Sequence, residues 1–385
     1  MPAVRFRSID FLRGVSALAV VMGHALIAAP YFTIAGAWFA QLVETIFWLA
    51  ATAVPMFFVV SGFCIHLSQI RHEGGARFRF AAFWRRRMWR LYPTYFVAVC
   101  ASIGLVLLMW AAGRGVELLA RYPEPRGSWI AADFAMHVLM LHGLHPVFDQ
   151  GAANPPLWSL AREEYLYLMY PLLLLLRRRL PWHTLAGLLV GMSIMIQWMA
   201  PRLATQEWAW QLITSAPALW IQWHLGVVAA DAYRGVIRLP VFWRQVRWVP
   251  GWLMLGYLTP PGTVFVGLAY FTVVNACVSR EADGRWPANG VCDALSRVGL
   301  WSYSLYLIHH PAQTVALALI LRVAPTAGLA GFLGRAMLLT IAGCIAGRLL
   351  FVVVERHFLS ASLPSGRLAP GPAGMHDPSE ALRVS

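Results

Sequence analysis

Residues Phe11–Ala29 read FLRGVSALAVVMGHALIAA, an apolar run of the length that one helix needs to cross a bilayer. A similar run covers Gly334–Val354. Of the 385 residues, 59% are hydrophobic and only 12% are charged, whereas soluble domains carry roughly 25% charged residues. Strands of a membrane barrel would alternate apolar and polar residues over about ten positions. The pattern therefore predicts an all-α, polytopic membrane helix bundle.

We predict about ten membrane-spanning helices with both termini in the cytoplasm. The predicted spans are residues 9–30, 44–68, 91–112, 158–176, 182–200, 209–230, 246–260, 262–279, 298–321 and 334–355. All 31 basic residues are arginine, and this topology places 22 of them on the cytoplasmic side, 6 outside and 3 within spans. Arginine is expected to concentrate on the cytoplasmic side of a membrane protein. The net charge of +14 is thereby explained without nucleic acid, which we do not predict as a partner.

The segments outside the spans lead to three further expectations. Residues 1–358 are expected to form one integral membrane domain. Residues 359–385, rich in Pro, Gly, Ser and Ala, are expected to form a disordered cytoplasmic tail. The longest outside segment, 113–157, is expected to form a short helix that lies on the outer surface or dips into it. The five scattered cysteines suggest neither a metal site nor a disulfide framework.

Two side chains in the first span need an explanation, because an ionisable group inside a bilayer costs several kcal/mol. Arg13 and His24 are eleven residues apart, so they share one face of the helix and lie about 16 Å apart along its axis. The spacing predicts that one span links a cytoplasmic site to an outer site. An Arg13 that reaches the lipid headgroups and a His24 packed in the core would explain the same pattern.

The fourth span begins with the sequence NPPLWSLAREEYLY over residues 154–167. Glu163 and Glu164 lie about 7–9 Å inside its predicted outer end, a depth similar to that of His24. A carboxylate there would orient the imidazole and raise its basicity. Alternatively, an arginine such as Arg162 pairs with one of the glutamates for structural reasons.

Two further stretches contain polar groups beside predicted spans. The ninth span contains SYSLYLIHHP over residues 302–311, where Tyr303 and Tyr306 are one turn apart. The second inside loop contains FWRRRMWRLYP over residues 83–93. Arginine suits bidentate recognition of phosphate, although contact with anionic lipid explains such a cluster equally well.

Together these segments resemble the acyltransferase 3 family of bacterial membrane O-acyltransferases. The matching stretches, in family order, are Ile9–His24, Val54–Phe63, Arg86–Pro93, Leu157–Tyr167, Ser302–Pro311 and Val354–Arg356. The chain departs from the family pattern at Arg162, Tyr165 and His357. The resemblance implies ten core helices in the bacterial inner membrane, a donor reached from the cytoplasm, and acyl transfer to a carbohydrate hydroxyl of an O-antigen or exopolysaccharide.

The same stretches supply the predicted site. We expect His24, Glu163 and Glu164 to be catalytic. We expect the substrates to contact Arg13, Arg86, Arg90, Ser61, Trp158, Tyr303, Tyr306 and His309. The expected partners are acyl-CoA, with acetyl-CoA as the default donor substrate, a glycan or lipid-linked glycan acceptor, and membrane lipid. No bound cofactor is expected, and the oligomeric state is not predicted.

In the scheme that this site suggests, acyl-CoA phosphates lie near Arg13, Arg86 and Arg90, and His24 is the general base for the acceptor hydroxyl or briefly carries the acyl group. A transporter or flippase of a lipid-linked saccharide or acyl compound is the alternative, because buried Arg and His also line transport paths. The chain lacks the inverted repeat that many transporters show. A receptor or scaffold would leave the in-span charges unexplained.

Overall fold

The computed structural model describes residues 5–28, 36–73, 78–113, 126–259, 262–323 and 328–359. Within these ranges every regular element is helical, which confirms the predicted fold class. The helices of eight or more residues are α1 (Arg7–Ala28), α2 (Gly36–Ala51), α3 (Ala53–Glu73), α4 (Phe80–Ala111), α5 (Arg126–Val138), α6 (Trp158–Arg179), α7 (Trp182–Leu203), α8 (Gln206–Ile213), α9 (Ala216–Tyr233), α10 (Val249–Leu258), α11 (Gly262–Ala282), α12 (Gly290–Leu300), α13 (Ser302–Val323) and α14 (Gly328–Leu350). Of the predicted tail, 359–385, residues 360–385 lie outside the described residues.

Eight segments of the described chain are long and apolar enough to cross a membrane. They are Arg7–Ala28, Trp38–Gln69, Phe80–Ala111, Trp182–Leu203, Gln206–Tyr233, Gly262–Ala282, Ser302–Arg322 and Gly328–Leu359. The other two predicted spans correspond to α6, which is 22 residues long but rich in charge, and to α10, which is only 10 residues long. The number of ten crossings and the side of each terminus stay predictions.

Close helix contacts bring α3 and α9 together at two glycines. A Cβ atom on Gly62 would lie 2.1 Å from the carbonyl oxygen of Trp223, and one on Gly226 would lie 2.0 Å from that of Val59. Small residues let helix backbones approach in membranes, where packing replaces the hydrophobic effect as the driving force. This contact fixes the position of α3, which forms one wall of the site described below.

The segment between α4 and α6 enters the helix bundle instead of resting on it. Asn154 is fully buried, and its amide donates hydrogen bonds to the Ser102 hydroxyl at 3.1 Å and to the Leu307 carbonyl at 2.8 Å. Both partners lie well inside their helices α4 and α13. The segment 126–157, called the outer segment below, therefore dips between the helices, and α6 begins at that depth.

A buried arginine joins the outer segment to its neighbours. Arg162 donates to the carbonyls of Thr214 (3.0 Å) and Gly143 (2.9 Å) and to the Asp149 carboxylate (2.7 Å). Its partner is thus an aspartate of the outer segment and neither Glu163 nor Glu164. The structural pairing that the sequence left open is formed, but with another acid.

Candidate active site

A cavity of about 180 Å³ lies between α1, α3, α4, α6 and α13. It is lined by Arg13, Val54, Phe57, Phe58, Val60, Ser61, Cys64, Ile65, Arg87, Arg90, Leu91, Ser159, Leu160, Glu163, Tyr167, Ser302, Tyr303 and Tyr306. On α3 the lining residues recur every three or four positions from 54 to 65, so they form one face of that helix over about 16 Å. Of the predicted residues, the cavity brings together Arg13, Ser61, Arg90, Glu163, Tyr303 and Tyr306.

Three arginines form one end of this cavity, called the arginine end. Arg90 lies close enough to Arg87 and Arg13 for their charges to interact. None of the three makes a side-chain hydrogen bond or an ion pair within the described residues, although Arg87 lies over the rings of Phe83 and Tyr167 at 6.0 Å. Guanidinium groups that face one space favour the binding of an anion there.

Arg86 does not line the cavity. It is exposed and donates to the Gln69 side-chain oxygen at 3.4 Å. The lining residues Arg87, Arg90 and Leu91 centre on the direction of Arg87, and Arg86 points about 100° away from that direction. Sequence reasoning missed Arg87, although the three- and four-residue spacing to Arg90 and Leu91 could have indicated it.

Hydroxyl groups and one carboxylate line the middle of the cavity. The Tyr167 hydroxyl donates to Glu163 and lies 3.3 Å from the Ser61 hydroxyl. Tyr303 donates to the Leu91 carbonyl at 3.0 Å. Glu164 is buried on another face of α6, and its Oε1 atom has no hydrogen-bond partner in the described chain.

The predicted residue Trp158 also lies outside the cavity, where its ring contacts Trp210 at 5.7 Å. Another acid, which belongs to the matching stretch Val354–Arg356 but was not predicted as a site residue, lies near the arginine end. Glu355 accepts hydrogen bonds from the Ser304 amide (3.1 Å) and hydroxyl (2.5 Å), and its charge interacts with Arg13 and Arg90. Glu355 thus offsets part of the positive charge without occupying the cavity.

Three histidines cluster beyond the other end of the cavity. The ring of His24 lies 5.1 Å from that of His309 and 5.7 Å from that of His310. The Nδ1 atom of His24 donates to the Val20 carbonyl (2.9 Å), which leaves its Nε2 lone pair available as a base. His309 is fully buried, donates from Nδ1 to the Tyr306 carbonyl (2.8 Å), and has no described partner at Nε2.

The expected contact between His24 and a glutamate is not formed. Within the described residues, no hydrogen bond or ion pair joins His24 to Glu163 or Glu164, and Glu163 instead bonds to Tyr167. The depth estimate was wrong because it placed the start of α6 at the outer surface, whereas the outer segment carries that start into the bundle.

An aromatic pair separates the cavity from the histidines. The rings of Phe57 and Tyr306 are 5.7 Å apart, and Tyr306 lies 5.8 Å from His309 on its other side. This end of the cavity is called the aromatic end. The arrangement places the three arginines and the three histidines on opposite sides of one short, mostly apolar cavity.

Comparison with known proteins decides the family. A family profile described as an acyltransferase domain matches residues 6–349. The chain belongs to this acyltransferase family. The match includes every residue named above as part of the cavity and of the histidine cluster.

Two curated relatives are similar to this acyltransferase. The acyltransferase MdmB of Streptomyces mycarofaciens is 28% identical over 379 residues, which is 91% of each chain. Nodulation protein 10 of Rhizobium leguminosarum bv. viciae is 27% identical over 283 residues, which is 69% of this chain and 70% of the relative. No solved structure matches the chain.

Proposed function

We propose that this acyltransferase moves a short acyl group from acyl-CoA to a hydroxyl of a carbohydrate at the bacterial inner membrane. The observation that carries the proposal is the cavity, which has at one end three arginines that form no ion pair within the described residues and a histidine cluster beyond the other end. The family resemblance supports a glycan acceptor such as an O-antigen or exopolysaccharide unit. Membership of an acyltransferase family argues against the transporter alternative.

The arginine end suits the donor. Acyl-CoA carries phosphates, and guanidinium groups bind phosphate oxygens through two parallel hydrogen bonds. In this proposal Arg13, Arg87 and Arg90 hold the phosphates on the cytoplasmic side. The thioester then points along α3 toward the aromatic end, past Ser61 and the Tyr167 hydroxyl that Glu163 orients.

The histidine cluster suits the acceptor. A sugar hydroxyl is a poor nucleophile near neutral pH, and a general base typically accelerates its attack about 10²–10⁴-fold. The Nε2 atom of His24 takes the hydroxyl proton, the oxygen bonds to the thioester carbon, and the carbon–sulfur bond breaks. The departing CoA thiolate takes up the proton that His24 accepted, which frees His24 for the next turnover. Glu164, which points away from the cavity, is assigned a structural role in this scheme.

Protection of Cys64 tests donor binding without knowledge of the acceptor. Cys64 lines the arginine end, so bound donor should block its reaction with a small methanethiosulfonate reagent. The protein would carry Cys64 as its sole cysteine and be purified in detergent. Acetyl-CoA should slow the labelling, and Arg90→Gln should raise the half-protecting concentration at least about tenfold, because it removes charged hydrogen bonds.

Arg86→Gln is the matched control, since it removes the same charge four residues earlier on α4 but outside the cavity. It should leave the half-protecting concentration unchanged. Labelling that acetyl-CoA does not slow, or equal losses in the two variants, would refute the donor site. The acceptor is tested separately by mass spectrometry of surface glycans from a deletion strain, which should lack acyl groups that the wild type carries.

A further inference from the structure

The aromatic end closes the cavity with groups that are themselves held in place. Tyr306 is buried, and its hydroxyl bonds to the Ser159 hydroxyl (2.7 Å) and the Pro156 carbonyl (3.1 Å). Phe57 packs edge-on against the Tyr306 ring, with an interplanar angle of 71°. Behind Tyr306 lies His309, which is fully buried. A group entering from the arginine end therefore meets two aromatic rings, of which Tyr306 is held by hydrogen bonds and Phe57 by packing.

We infer that Phe57 and Tyr306 set the length of the acyl chain that the enzyme accepts, and limit the donor to short acyl groups. This inference rests on the proposed function, because it requires the thioester to point toward the aromatic end. The cavity of about 180 Å³ must hold the reactive arm of the donor as well as its acyl group. Each added methylene must therefore displace a close-packed aromatic side chain.

Truncation of Phe57 is the informative change. Phe57 is held by packing alone, whereas Tyr306 also fixes the turn at Pro156 and a change there would disturb α6. Phe57→Ala should extend the cavity toward the histidines while leaving Arg13, Arg87 and Arg90 in place. This variant therefore tests which acyl chain lengths are accepted without altering the arginines that bind the donor.

Phe63→Ala is the matched control. Phe63 lies on the same helix α3 and is 1% exposed, but it packs against Phe6 at 5.7 Å and against Tyr233 at 6.4 Å, outside the donor cavity. The two variants lose the same atoms from the same helix. Only Phe57→Ala removes them from the aromatic end.

The readout is the concentration of acetyl-, butanoyl- or hexanoyl-CoA that half-protects Cys64. For the wild type, hexanoyl-CoA should require at least about tenfold more than acetyl-CoA, since a filled pocket rejects extra methylenes by about that factor. Phe57→Ala should bring this ratio close to one, and Phe63→Ala should keep the wild-type ratio. If Phe57→Ala does not fold, Phe57→Leu should lower the ratio in the same direction.

Equal protection of the wild type by all three donors would overturn the inference, as would the same ratio in Phe57→Ala and Phe63→Ala. Both results leave the proposed function standing, because CoA still protects Cys64. If no CoA compound protects Cys64 in any variant, the proposed function fails first and the inference falls with it.

Discussion

At the scale of single residues, Arg162 shows what a buried charge requires. Its side chain is 1% exposed and satisfies two carbonyls and the Asp149 carboxylate, which is also 1% exposed. Removing one partner of such a pair leaves an uncompensated buried charge, at a cost of about 3–5 kcal/mol. We expect Arg162→Met to lower the free energy of unfolding by that amount, measured by thermal unfolding in detergent.

Arg202→Ala is the control, because Arg202 is exposed and lies over the Trp198 ring. Its effect should stay within about 0.5 kcal/mol. Adding Asp149→Leu to Arg162→Met should restore part of the stability, since the orphaned carboxylate is then gone. An Arg162→Met protein as stable as Arg202→Ala would show that the buried network does not hold the outer segment.

His24 tests whether binding and chemistry reside in different places. The residue lies outside the cavity, beyond Tyr306 and His309, so His24→Ala should keep the wild-type protection of Cys64 by acetyl-CoA. Acyl transfer should fall about 10²–10⁴-fold, because the general base is lost. Surface glycans from a deletion strain that carries the variant would be analysed by mass spectrometry, with the exposed His183→Ala as control. Wild-type acylation with His24→Ala would end the proposed mechanism.

The predicted site residues that line the cavity differ from those that do not in their position on the helix faces. Arg13, Arg90, Tyr303 and Tyr306 lie on helix faces that the three- and four-residue spacing defines, and they line the cavity. Arg86 was named for its place in a motif, but it points about 100° away from the centre of the lining face of α4. Periodicity within a helix is readable from sequence. The rotation of that helix toward its neighbours is set by tertiary packing.

At the scale of elements, the outer segment contains a stacked pair of histidines. The rings of His137 and His142 are 4.0 Å apart and nearly parallel, and both residues are fully buried. Burial, followed by the nearby charge of His137, holds the pKa of His142 well below its ordinary value of 6.5. Just below pH 6.5, His142 therefore binds a proton in the unfolded chain but not in the folded chain.

Stability should consequently fall as the pH drops below about 6.5, where the unfolded state gains more protons than the folded state. His142→Gln keeps a donor for the Leu157 carbonyl but cannot titrate, so its loss of stability between about pH 7.5 and about pH 5.5 should be smaller. Comparing the two proteins also removes the contribution of Asp149, whose pKa is raised by burial. Equal pH dependence of the two thermal transitions would contradict the assignment.

The contact between α3 and α9 gives a second prediction for an element. Gly226→Ala would place a methyl group against the backbone of Val59, and overpacking of this kind typically costs about 1–3 kcal/mol. Because α3 forms a cavity wall, the same variant should also weaken protection of Cys64. Gly104→Ala on α4, where no atom lies within 4 Å of the added methyl, should lower neither quantity, because alanine favours a helix interior over glycine. Equal behaviour of the two variants would exclude the contact as a determinant of the site.

The depth at which a helix begins in the bundle was harder to predict than the presence of the helix. The apolar runs indicated where helices lie, but the start of α6 was predicted at the outer end of its span. In the structure, Asn154 carries that start inward through bonds to Ser102 and Leu307. Those partners are about fifty and one hundred and fifty residues away in sequence. Such long-range bonds leave no local signal, so the pairing of His24 with Glu163 was expected where none forms.

At the scale of the whole molecule, the topology depends on α10. A helix of 10 residues is about 15 Å long, half the thickness of a typical hydrocarbon core of about 30 Å. Its last turn nevertheless contacts α2, where the Tyr257 hydroxyl accepts from Gln41 at 3.4 Å and the Tyr257 ring lies 5.0 Å from Trp48. The short turns at 241–248 precede α10 and lengthen it into an arm that covers residues 241–258. Ten crossings require that this arm reach the outer side.

Single cysteines, introduced into a protein without the five native ones, would show whether α10 crosses the membrane. In intact cells, a membrane-impermeant maleimide should label Arg202→Cys and Leu258→Cys, whereas Arg247→Cys and Arg285→Cys should react only after permeabilisation. All four positions are exposed in the structure. If Leu258→Cys is protected and Arg285→Cys is labelled from outside, α10 does not cross, and every later helix is inverted. Arg280, Arg285 and Arg297 would then lie outside, against the expected distribution of positive charge. The arginine bias favours the crossing, because it leaves these three charges in the cytoplasm.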